Sequence, residues 1–161
     1  MAKRKLWLSV AFVGTGMLAA VAPVVAHHAF GAEFDRDAPI RIEGRITRLE
    51  WVNPHTWVHI AVTEMVIGGQ NVVPPDPAQE VWMVEGGTPN TLLRRGLRRE
   101  CLAIGTEVIV DGYQTKDHSL KRANGRDITF ADGSKIFLGS SGTGAPYDAD
   151  AVAEREAAGR C

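Results

Sequence analysis

The sequence predicts a mainly β protein, a small OB-like Greek-key barrel of five to six strands with one short helix between strands three and four. Several short runs alternate apolar with polar residues and are separated by Gly- and Pro-rich turns. The first run contains Gly44, and a glycine inside a strand marks a bulge or bend, by which a small barrel curls a long strand. The helix signal lies between the third and fourth runs, as in an oligonucleotide/oligosaccharide-binding barrel. A small sandwich is the alternative.

The first two strands are predicted over residues 40–46 and 56–62 by alternation of period two. One side of the first strand carries Ile40, Ile42, Gly44 and Ile46. The core face of the second strand carries Val58, Ile60 and Val62, so Trp57 and His59 lie on the opposite face. Residues 64–79 contain two adjacent glycines and three prolines, and we expect an irregular loop there because these residues interrupt regular structure.

The third strand is predicted over residues 80–85, with Trp82 and Val84 facing away from Val81 and Met83. Thr88 is a helix cap before a proline and Gly96 is a stop signal, which together predict a short helix. Extended runs follow at 106–113, 126–130 and 135–138. Residues 140–161 are rich in Gly, Ala and charge and predict a flexible tail, which leaves one domain over residues 27–139.

A cationic, apolar leader precedes this domain. Lys3, Arg4 and Lys5 are followed by an apolar run over residues 6–22, a pattern typical of a secretory signal. We expect cleavage after Ala26, which makes residues 1–26 a signal peptide and the protein periplasmic or secreted in a bacterium, with no membrane attachment after cleavage. An uncleaved membrane anchor is the alternative.

The charge of the processed chain argues against a nucleic-acid partner. The leader carries three of the 18 basic residues and none of the 19 acidic ones, so 15 basic residues remain against 19 acidic and the net charge is −4. The two cysteines, Cys101 and Cys161, meet an oxidising compartment after export and are candidates for a disulfide bond.

Histidines are the candidate metal ligands. Cleavage after Ala26 makes His27 the first residue, and its amine and ring Nδ1 then chelate one ion, with His28 beside it. His55, in the Asn-Pro-His turn before the second strand, is the expected third ligand. Amine and imidazole nitrogens in a tetragonal arrangement suit Cu(II), so the predicted cofactor is copper. The alternative is that His27 and His28 form only a polar terminus and that His55 is a turn residue, with no metal bound.

We favour His55 over His59 as the third ligand. The two share a face but lie about 13 Å apart along one strand, too far to bind the same ion. Glu50 or Glu85 is expected to orient the imidazoles. Phe30 and Phe34 are expected to dock the N-terminal segment on the barrel.

A non-enzymatic binding module is the second hypothesis. No nucleophile elbow, Cys-His signature or zinc-binding His-Glu-x-x-His helix is present, so no catalytic residue is predicted. The module would present aromatic and polar side chains of the barrel face to a glycan, a peptide or a protein partner. These residues are Trp57, His59, Trp82 and Tyr113. Arg94 and Arg95, with Arg98 and Arg99, form either an anion-binding patch or an ordinary solvated face. A redox accessory enzyme with an open copper position is a third possibility.

Four segments carry a resemblance to a known family. They are His27-His28-Ala29-Phe30, the run from Trp51 to Trp57, the run from Thr88 to Gly96, and Asp132-Gly133. Together they resemble a family of small exported bacterial proteins catalogued as domain of unknown function 6152. The resemblance spans residues 27–139 and implies a signal peptide, a single small β-rich domain and no established activity. The resemblance implies that the paired histidine of the family corresponds to His27 and His28, and its Asn-Pro-His turn to Asn53, Pro54 and His55. The Pro-rich loop at 64–79, Cys101 and Cys161 depart from the family pattern.

Overall fold

The computed structural model describes residues 29–139 as a chain of short elements dominated by strands. In order these are α1 (Ala29–Glu33), β1 (Phe34–Glu50), β2 (Trp57–Ile67), β3 (Gln70–Val72), β4 (Val81–Glu85), α2 (Pro89–Leu93), a 3-10 turn (Arg99–Leu102), β5 (Glu107–Thr115), β6 (Arg122–Phe130) and β7 (Lys135–Phe137). The predicted signal peptide and tail, together with His27, His28 and Cys161, lie outside the described residues.

Five of the strands pair in a closed ring. β1 pairs antiparallel with both β2 and β5, β2 pairs antiparallel with β4, and β5 pairs antiparallel with β6. The ring closes through a parallel pairing of β4 with β6. β3 adds to β2 and β7 adds to β6 outside the ring. The prediction of a mainly β fold is therefore confirmed.

The core lies inside this ring, and the predicted alternation places the correct side chains in it. Val58, Ile60 and Val62 are completely buried. The isoleucines predicted on one side of the first strand, Ile40, Ile42 and Ile46, are also buried. Trp82 and Val84 of β4 join the same cluster. Burial of such aliphatic side chains is the main favourable contribution to folding.

Gly44 marks a bulge in β1, as predicted. The pairing of β1 with β2 shifts register between Glu43 and Gly44. A Cβ at Gly44 would lie 2.1 Å from the carbonyl oxygen of Ala61. Only a glycine lets the two backbones approach this closely, so β1 can turn here while paired on both sides.

The prediction of an irregular loop over residues 64–79 is wrong for its first half. β2 continues to Ile67 and turns through Gly68 and Gly69 into β3. Both glycines have positive φ, 58° and 77°, which is the geometry that two-residue hairpin turns require. The two glycines therefore connect strands instead of ending regular structure.

The short helix is as predicted. The side chain of Thr88 accepts a hydrogen bond from the Thr91 amide, and Pro89 occupies the first turn. Gly96 has a φ of 78°, which fits its predicted role after the helix. Cys101 follows in the 3-10 turn, where it is buried and disulfide-bonded.

Candidate functional site

Polar side chains gather on the side of the ring that faces away from the core. Trp57, Glu85 and Asn124 are register partners across β2, β4 and β6. His59, Met83 and Arg122 form the next row of partners on the same three strands. Successive side chains alternate between faces, and the core residues Val58, Val84 and Ala123 point inward, so both rows point outward. On this outward side Glu85 and Asn124 are nevertheless buried. We call these six residues the outer face.

His55 contacts Glu85 at the edge of the outer face. His55 lies in the loop between β1 and β2, and its Nδ1 is 3.2 Å from Oε1 of Glu85. The two groups are within ion-pair distance but are not aligned as a hydrogen bond, and Nδ1 is buried without a hydrogen-bond partner among residues 29–139. The Glu85 side chain is only 10% exposed, whereas that of His55 is 31% exposed. The imidazole is therefore reachable from solvent while the carboxylate is not.

Burial raises the pKa of Glu85 above its ordinary value. The His55 imidazole in its protonated form and the Arg122 guanidinium lower the pKa of Glu85, and the negative charge of Glu33 raises it further. Glu33 is the last residue of α1, so this negative charge belongs to the N-terminal helix. The pKa of Glu85 is thus influenced by a carboxylate, an imidazole and a guanidinium.

Arg122 links the N-terminal helix to the outer face. Its guanidinium lies 4.3 Å from the centroid of the Trp57 ring, a cation–π distance, and Nη2 is 3.1 Å from Oε1 of Glu33. The amide of Lys116 donates to the Glu33 carbonyl at 2.9 Å. Helix α1 is therefore fixed on the strands next to the site.

Aromatic contacts hold the other end of α1. The Phe30 ring lies 5.7 Å from both the Phe34 and the Tyr113 rings, between centroids. Such pairs add to the stabilisation from burial alone. The sequence-based expectation that Phe30 and Phe34 dock this segment agrees with the observed contacts.

His59 has a different carboxylate partner. Its Nε2 is 2.8 Å from Oε1 of Glu50, and the same oxygen is 3.2 Å from Nη2 of Arg48. The His59 side chain is 15% exposed. The two glutamates named from the sequence therefore each contact one imidazole, Glu85 at His55 and Glu50 at His59. His118 is exposed, and its Nε2 lies 3.8 Å from Asp35.

The described residues alone do not assemble a metal centre. Among residues 29–139 no group of three His, Cys, Asp or Glu side chains lies close enough to hold an ion. Of the predicted ligands, the structure places His55, and His27 and His28 lie outside the described residues. A metal site at His55 would therefore need its other ligands from outside the described residues.

The residues predicted to bind a partner are less exposed to solvent than the binding-module hypothesis requires. Trp82 is 4% exposed, and its indole donates to Glu80 at 2.9 Å, so it has almost no surface for a partner. Trp57 is partly buried beneath Arg122. Arg95 is half-buried over the Phe137 ring, and burial together with the charge of Arg94 lowers its pKa. Arg94 is exposed.

Sequence reasoning did not identify Arg122 or Glu33 as part of this site. Each is far in sequence from Trp57 and Glu85. Their proximity depends on the parallel pairing of β4 with β6 and on a helix of five residues, and no local pattern signals either one.

Comparison with known proteins gives one match. A family model described as a family of unknown function matches residues 16–124. No curated protein and no solved structure matches the chain. Within residues 29–139, no helix has the length and apolar character needed to cross a membrane.

Proposed function

Because the chain belongs to DUF6152, a family of unknown function, we propose a function from its own residues: it is an exported periplasmic protein that binds Cu(II). The proposed ligands are the amine and Nδ1 of His27, with His28 beside them, and the imidazole of His55. Three nitrogen ligands of this kind favour a tetragonal Cu(II) site.

The observation that supports this proposal is the ion pair of Glu33, the last residue of α1, with Arg122, whose charge acts on the Glu85 carboxylate that His55 contacts. The two groups of the ion pair are 3.1 Å apart, and Glu85 lies 3.2 Å from His55. A helix of five residues rises about 7 Å. His28 directly precedes this helix in the sequence. A chain cut after Ala26 therefore begins within a few residues of a helix that is fixed to Arg122 on the outer face.

Glu85 is suited to orient the copper-binding imidazole. Histidine ligands commonly donate their second ring N–H to a carboxylate, which fixes the tautomer and increases the basicity of the ligating nitrogen. In this arrangement Nδ1 of His55 faces Glu85, and Nε2 is left for the ion. A bound dication also favours the ionised form of Glu85, opposing the effect of burial on its pKa.

Calorimetric titration of the exported, processed protein with Cu(II) tests the proposal. We expect His27→Ala and His55→Ala each to weaken binding by at least about tenfold, since each removes one nitrogen ligand. His118→Ala is the matched control, because it removes an exposed imidazole next to Asp35 and should leave the affinity unchanged. Equal affinities in all four proteins, or a mature N-terminus beyond His28, would exclude this site.

We further propose that the strand ring is an OB-like barrel. The order β1-β2-β4-β6-β5 with a parallel β4–β6 pair and a short helix between β4 and β5 supports this. Such barrels host many unrelated functions, so the fold by itself selects none.

A non-enzymatic binding module for a glycan, peptide or protein is the second candidate function. A cleft of about 320 Å³ favours it, because its lining combines the partly buried Phe130 ring with the polar side chains of Thr63 and Thr129. NMR titration with oligosaccharides and extended peptides tests this candidate. Amide shifts that do not cluster at these three residues would exclude the cleft as the binding surface.

A further inference from the structure

His59 and Met83 place an imidazole and a thioether side by side on the outer face. The two residues are directly opposite partners in the antiparallel pairing of β2 with β4. Directly opposed side chains have Cβ atoms about 4.5–5.5 Å apart, which is close enough for both to reach one ion. Met83 is only partly buried, whereas Met65 is 6% exposed and belongs to the core.

The contacts of His59 are those expected of a metal ligand. Its Nε2 is hydrogen-bonded to Glu50 at 2.8 Å, and Arg48 holds the same carboxylate oxygen. A carboxylate on one ring nitrogen fixes the tautomer and leaves the lone pair of the other nitrogen for a metal. Nδ1 makes no hydrogen bond with another residue of the described range. The nitrogen available for coordination is therefore Nδ1.

Two cations flank this position, and each is paired with a carboxylate. Arg48 is the register partner of His59 on β1, and its Nη2 lies 3.2 Å from Oε1 of Glu50. Arg122 is the register partner of Met83 on β6. Its guanidinium is directed to the Trp57 ring and to the Glu33 carboxylate, which neutralises its charge. On the other side, the Glu50 carboxylate behind His59 offsets the charge of Arg48.

We propose that Nδ1 of His59 and Sδ of Met83 bind Cu(I). Thioether sulfur is a soft ligand that selects Cu(I), and imidazole accepts copper in either oxidation state. This site goes beyond the proposed Cu(II) site and shares no ligand with it. His59 and His55 contact different carboxylates, Glu50 and Glu85, so the two sites hold separate ions.

Titration with Ag(I), a monovalent soft ion, tests this site without redox chemistry. The readout is the NMR signal of ¹³C-labelled methionine methyl groups in the exported, processed protein, together with the Ag(I) affinity. We expect the Met83 methyl signal to shift, and Met83→Leu and His59→Gln each to weaken Ag(I) binding at least about tenfold. Met65→Leu is the matched control and should leave the affinity unchanged.

The outcomes separate this proposal from the preceding one. His55→Ala should weaken Cu(II) binding and leave Ag(I) binding intact, whereas Met83→Leu should weaken Ag(I) binding and leave Cu(II) binding intact. A thermal melt of each variant without metal confirms that it is folded, and Met83→Leu conserves side-chain volume, which favours retention of the fold. Unchanged Ag(I) affinity in folded Met83→Leu, or a shift of another methyl group in place of Met83, would overturn the assignment.

Discussion

Gly44→Ala is the substitution that most directly tests how the strand ring closes. The added Cβ would lie 2.1 Å from the carbonyl oxygen of Ala61 and 2.9 Å from its carbonyl carbon and from Cγ2 of Ile60. The closest obstacle is backbone, so no side-chain rotation relieves it. β1 is also paired with β5 on its other side, where Gly44 faces Val108, which limits a compensating shift.

The expected loss of stability follows from these contacts. Overpacking a dense interior costs about 1–3 kcal/mol, and we expect the upper end because backbone must move. For a domain of about 110 residues, this corresponds to a fall in melting temperature on the order of 10 °C. Circular dichroism melts of the exported protein measure it. Gly31→Ala is the control, because a Cβ there meets nothing within 4 Å. A Gly44→Ala protein that melts within about 2 °C of the control would refute this account of the bend.

Two further predictions concern the site. As pH rises from about 4.5 through the raised pKa of Glu85, Glu85→Gln should become more stable relative to the native chain. The reason is that the folded native chain binds the Glu85 proton more tightly than the unfolded chain does, and it loses this stabilisation when Glu85 ionises. Urea unfolding from pH 4 to 7 measures the difference in unfolding free energy between the two proteins, and a difference that stays flat or falls contradicts the prediction. Phe30→Ala should release α1, since it removes both ring contacts at 5.7 Å, at a cost of about 1–3 kcal/mol. Hydrogen exchange of the Lys116 amide, which donates to Glu33, should then accelerate, and unchanged protection would mean that Phe30 does not anchor the helix.

The parts of the fold that depend on local pattern were predictable from the sequence. Alternation identified the buried faces of β1 and β2, and cap and stop residues identified α2. The prediction at Gly68 and Gly69 was wrong because a glycine pair occurs both in irregular loops and in tight hairpin turns, and composition does not distinguish the two. Helix α1 was missed since five residues are too few for a helical period.

The site was predictable only in its components. Glu50 and Glu85 were identified as carboxylates able to orient imidazoles, but the assignment of each to one histidine required the register of β1, β2 and β4. Arg122 on β6 contacts Trp57 on β2, with β4 between the two strands. This proximity arises from the order of strands around the ring. Pairings between residues far apart in sequence have no local signature.

The double pairing of β1 has a consequence for the order in which the chain acquires structure. Ile42 is the register partner of Met65, which follows soon after it in the sequence, and also of Val110, which is synthesised much later. Until β5 is available, the first strand has one edge without a partner, so an incomplete chain cannot finish its core. Such distant contacts make the entropy of loop closure a dominant barrier, and we expect folding on the order of milliseconds to seconds.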